Sequence, residues 1–91
     1  MLRITEFLEN KNLVKLRLDG TITSESFAEI ERTCAQHRQE HDRTVILDMA
    51  GVTFMQPEPA HELAHLQRDS LRIINCSPFI AALLETAVNR K

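Results

Sequence analysis

Apolar and charged residues alternate from Leu13 to Asp19. Val14, Leu16 and Leu18 share one side, and Lys15, Arg17 and Asp19 the other. Such alternation predicts a strand with one wet face. Leu2 and Ile4, with Phe7, mark an earlier strand, and the polar Glu9-Asn10-Lys11-Asn12 between the two predicts an antiparallel hairpin ended by Asp19-Gly20. Thr44 to Met49, continued by Ala50 to Met55, is an aliphatic and β-branched run without alternation, the pattern of a parallel strand covered on both faces. Phe27, Ile30 and Cys34, extended by His37 or Arg38, recur at helical spacing. Ser24 or Ser26 starts that helix, Ser26 and Glu29 forming a capping box. A second helix is expected from about Ala60 to Arg68, and a strand over Leu71 to Asn75. Ser77 then caps a last helix with Pro78 at its first position and Phe79, Ile80, Leu83, Leu84, Ala87 and Val88 along one face.

Strand, strand, helix, strand, helix, strand, helix predicts one small α/β domain over residues 1–91. Its four-stranded mixed sheet joins an antiparallel hairpin to parallel strands, with three helices mainly on one face. One-sided cover leaves a sheet face and the hairpin edge free for a homodimer contact or a protein partner.

A chain of 91 residues buries roughly 60–65% of its unfolded surface, enough for one core but not for a cleft between domains. Net charge −2 and four aromatic residues, all Phe, argue against nucleic-acid binding. No apolar run approaches the roughly 20 residues of a membrane span, so direct membrane insertion is not expected. The N-terminus lacks a signal-peptide pattern, and Cys34 and Cys76 form no CxxC, which predicts free thiols and a cytoplasmic protein.

The segment after the core strand, Gln56-Pro57-Glu58-Pro59, lies where α/β folds place their working groups, at a strand's carboxyl end and a helix start. It carries no Ser, Thr or Cys. The prolines predict a stiff loop with few N–H donors, Glu58 being pushed out of helical space by Pro59, itself read as the first helical residue. Nucleotide phosphate binding is therefore not expected there. Glu58 reads either as a solvated first-turn acid favoured by the helix dipole or as a fixed negative charge in the manner of a phosphoserine.

His61-Glu62-Leu63-Ala64-His65 matches HExxH, the pattern of zinc proteases. A catalytic zinc needs a third protein ligand, and the later sequence offers only Asp69 and Glu85. Neither a catalytic residue nor a resident metal or other cofactor is assigned, and His61 and His65 are expected at the solvent-facing rim. His37 and His41 form a second i, i+4 pair, read as a polar helix end. Asp48 reads as a structural acid accepting backbone N–H bonds, and Cys34 as a small core residue.

Four stretches together resemble the STAS domain, the module of bacterial anti-sigma factor antagonists and of sulfate transporter tails. They are Leu16 to Thr23, Val45 to Met55 with its Leu47-Asp48…Val52-Thr53-Phe54 core, Leu71 to Pro78, and Phe79 to Thr86. In the antagonists the core strand leads into Asp-Ser-Ser/Thr-Gly, whose second hydroxyl a partner kinase phosphorylates. The matching residues here are Gln56, Pro57, Glu58 and Pro59, so the phosphoacceptor-equivalent position holds Glu58 and cannot be phosphorylated. The second helix is also shorter than in most members, which often add a further strand and helix.

The resemblance implies a non-enzymatic regulatory module, a signalling protein whose partner is a kinase-like anti-sigma factor. The expected partner-facing rim is Thr21, Thr23, Ser24, Gln56, Pro57, Glu58, Pro59, His61, Glu62 and His65. The alternatives are a STAS-like accessory subunit of a membrane transport or lipid-trafficking complex and, remotely, an HExxH zinc hydrolase.

Overall fold

The computed structural model describes residues 2–66 and 71–89, of which 87–89 by backbone alone. The expected architecture is present: β1 (Leu2–Asn10), β2 (Leu13–Ile22), α1 (Ser24–Glu40), β3 (Thr44–Met55), α2 (Pro57–Leu66), β4 (Leu71–Ile74) and α3 (Pro78–Asn89). Strand order is β1-β2-β3-β4, with β1 antiparallel to β2 and the pairs β2/β3 and β3/β4 parallel. Successive right-handed crossovers stepping one way across a sheet put their helices on one face.

That face carries the core. Val14, Leu16 and Leu18 of β2, Val45, Leu47 and Met49 of β3, and Leu71 of β4 are fully buried beneath Phe27 and Ile30 of α1, Leu63 of α2, and Ile80 and Leu84 of α3. Among the described residues the opposite face carries no helix and is mixed in character. Across it run Phe7, Lys15, Ile46 and Arg72, partners in register, with the Lys15 ammonium 5.7 Å from the centre of the Phe7 ring.

At the hairpin end of the sheet, His37 of α1 links β1 to the segment that leads into β3. Its Nε2 lies 3.0 Å from Glu6 Oε1, and its Nδ1 lies 3.2 Å from Arg43 Nη1, while Arg43 Nε donates to the Lys11 carbonyl. A guanidinium only donates, so Nδ1 accepts and the ring proton on Nε2 goes to Glu6. His37 is accordingly buried, on the apolar stripe of α1.

Three boundaries differ from the sequence expectation. Thr23, not Ser24 or Ser26, is the N-cap of α1: its hydroxyl accepts from the Ser26 backbone, and Ser26 Oγ accepts from the Thr23 backbone in return. Serine here takes the place expected of glutamate, because Oγ already lies 2.8 Å from that N–H. β2 continues through Gly20, at φ 109°, to Ile22 instead of stopping at Asp19-Gly20. α2 begins at Pro57, not Ala60, so Glu58 is helical. First-turn N–H groups have no acceptor within their own helix, so prolines at its first and third positions remove no helical bond. The expected end of α2 at Arg68 lies outside the described residues, as do the side chains of Ala87 and Val88.

Candidate functional site

Three parallel strands end on one edge of the sheet, and each is followed by a helix whose N-terminus opens there. Gln56 joins two of these starts. Its backbone N–H donates to Ile22 O at 3.0 Å and its carbonyl accepts from Ala60 at 3.2 Å, while its side-chain oxygen accepts the Ser24 N–H at 3.0 Å. One residue thus turns β3 into α2 and caps the start of α1. The expected four-residue loop is in fact one residue long, and its stiffness comes from hydrogen bonding as well as from proline.

The expected rim divides accordingly. Pro57, Glu58, His61, Glu62 and His65 are exposed on the outer face of α2, with Ser24 exposed beside them. Thr21 and Gln56 are half-buried, and Thr23 is occupied by capping α1. Pro59 does not belong to the surface: it is buried with Ala60 and Leu63, on the side of α2 that covers the sheet.

Anion binding at α2 is poorly supported by its backbone. Pro57 and Pro59 have no N–H and that of Ala60 is bonded to Gln56, which leaves only Glu58 in the first turn. Nucleophilic chemistry is equally unsupported. The hydroxyls of Thr23 and Ser26 bond one another and the helix start, and Ser24 Oγ lies 3.5 Å from Gln56 Oε1, with no histidine in contact. Among the described residues no three His, Cys, Asp or Glu side chains converge as metal ligands, so the zinc-protease reading of HExxH lacks its third ligand there.

Asp48 braces this edge from the bare face. Only 7% exposed, it accepts the Ala50 N–H and the Asn75 side-chain amide, each at 3.0 Å. Asn75, at φ 59°, sits in the turn leading to α3 in a left-handed conformation that asparagine tolerates better than most residues. These bonds, the Asn75 amide first and the Ala50 N–H second, hold the Asp48 carboxyl below its ordinary value against the opposing effect of burial. A depressed folded-state pKa stabilises the fold above the unfolded value and loses that contribution as pH falls through the lower folded one. Asp48→Asn should therefore cost about 1–3 kcal/mol at neutral pH. In urea unfolding followed downward in pH, its difference from wild type should close only in acid below about pH 4.

The feature that sequence reading missed is aromatic. Phe54 is 45% and Phe79 51% exposed, and their rings stack with centroids 6.2 Å apart and planes 22° from parallel. Phe79 was expected among the apolar residues lining one face of the last helix. It instead faces outward at the second position of α3, where it meets Phe54 across the edge. β3 carries an extra residue relative to β2 in two places, Arg17/Asp19 pairing with Asp48/Gly51 and Gly20/Thr21 with Val52/Phe54. Each bulge shifts the alternation by one, leaving Val52 and Met55 inside and Phe54 out.

Comparison with known proteins agrees with this architecture. The STAS domain model matches residues 5–87. The anti-sigma factor antagonist SpoIIAA in its unphosphorylated form superposes with a TM-score of 0.72 at 14% identity, over 91% of this chain and 82% of that one. An uncharacterised protein with a SpoIIAA-like fold from Shewanella loihica PV-4 superposes at 0.57 with 9% identity, over 94% and 76% respectively. No curated protein matches the sequence. A family match over nearly the whole length, on a fold of this topology, makes the chain a member of the STAS domain family.

Proposed function

We propose that this STAS domain is a non-enzymatic regulatory module that binds a protein partner at the carboxyl edge of its sheet, with Glu58 as a fixed charge where antagonists carry a switchable hydroxyl. The observation that carries the reading is the position of Glu58, exposed in the first turn of α2, a helix that starts one residue beyond the end of β3. The exposed Phe54–Phe79 stack supports it, since aromatic residues, phenylalanine among them, are enriched at protein interfaces relative to the rest of the surface. A carboxylate carries one negative charge where a phosphoserine carries up to two, and no phosphatase removes it. Binding on this reading is constitutive. The partner is a kinase-like anti-sigma factor or a related signalling protein in the bacterial cytoplasm.

Affinity capture from native cell extract tests this with wild type, Glu58→Lys, Glu58→Ser and Phe79→Ala. A specific protein retained by wild type should be lost with Glu58→Lys and weakened by Phe79→Ala. Retention of the same protein by all four would refute the assigned edge. Recovery of a membrane transporter subunit instead of a kinase-like protein would favour the accessory-subunit reading, which uses the same face of α2.

A further inference from the structure

The chain contains two histidine pairs at i, i+4 spacing, and the structure treats them differently. In the first, both nitrogens of His37 are engaged, by Glu6 and by Arg43, and its ring centre stands 6.1 Å from that of His41. That pair is closed to a metal. In the second, His61 and His65 are both exposed on the outer face of α2 and neither makes a side-chain hydrogen bond among the described residues. Their ring centres are 4.5 Å apart with planes at 74°.

The distance is informative. With metal–nitrogen bonds of about 2.0–2.1 Å, two imidazoles on one ion at a bite of about 90–109° hold their ring centres about 4.5–5.2 Å apart. The observed pair already stands at the near end of that range. Glu58 and Glu62 lie three residues before each histidine on the same exposed face, an arrangement that draws cations to the surface without completing a three-ligand set.

We propose that His61 and His65 form a two-imidazole chelate for one divalent late first-row transition ion, such as Zn2+, Ni2+ or Cu2+, with its remaining positions open to water or to a partner's donor. The site is not a catalytic zinc centre. Its effect would be to place positive charge beside Glu58, so that ion binding alters the charge of the proposed docking face. The chelate itself stands independently of that docking role.

Calorimetric titration of the isolated full chain with Ni2+ tests it without any partner. Wild type should take up one ion per chain, and His61→Ala and His65→Ala should each weaken binding about tenfold or more, since a lone imidazole loses the advantage of the second tethered ligand. His41→Ala should leave the titration unchanged. Both substituted side chains are exposed, so an unaltered far-UV circular dichroism spectrum is expected and serves as the folding control. No Ni2+ uptake, equal affinity in the two single variants and wild type, or an equal loss in His41→Ala would overturn the assignment.

Discussion

Leu47→Ala is expected to remove about 2–5 kcal/mol of stability, the range for truncating a buried leucine. Leu47 lies on the central strand, fully buried, between Leu16 of β2 and Ile73 of β4. A strand paired on both sides cannot easily move to fill the space left behind, which favours the upper part of the range. At about 0.05–0.15 kcal/mol per residue, a domain of this length has roughly 5–14 kcal/mol in all. The variant should therefore show a fall in Tm of roughly 10–30 °C by circular dichroism. A shift of less than a few degrees would mean that the helical layer collapses onto the strand far more readily than its packing implies.

The second large effect is expected at Gly51. A β-carbon there would overlap the Asp19 carboxylate and come within 2.9 Å of the Leu18 carbonyl oxygen. The side chain can swing aside, but the backbone oxygen is fixed within β2, so part of the overlap has no cheap release. Gly51→Ala should cost about 1–3 kcal/mol. Because Asp19 also pairs with Arg17 at 3.3 Å, shortening it tests the source of the strain. In a double-mutant cycle, Asp19→Ser should recover part of the loss caused by Gly51→Ala, the remainder belonging to the Leu18 contact. Strict additivity of the two substitutions would show that the side-chain overlap is not the cause.

Alternation in β2 and the unbroken apolar run in β3 revealed the sheet, because burial on one or two faces leaves its period in the residue types. Glu58 was recognisable as an acid at a helix start, and His61 and His65 as rim residues, since helical spacing places them opposite the buried Leu63. The backbone conformation of Glu58 was misjudged. A following proline disfavours the helical region without forbidding it, and here Gln56 bonds to Ile22, Ala60 and Ser24 to hold the turn. Thr23, Ser24 and Ser26 all suit an N-cap, and only the direction of the chain leaving Ile22 selects among them. The exposure of Phe54 depended on two bulges between β2 and β3, and that of Phe79 on its place at the second position of α3.

Residue order and period alone determined the class of the domain: which segments are strands and helices, which strands pair in sequence, and which side of β2 is apolar. They could do so because those properties follow from local steric preference and from the need to bury apolar surface. Tertiary structure alone decided which of two equally spaced histidine pairs is free, that Pro59 lies inside while Pro57 and Glu58 face out, and that two phenylalanines from distant segments meet at the sheet edge. Each of those outcomes depends on contacts between elements far apart along the chain, and local patterning carries no record of them.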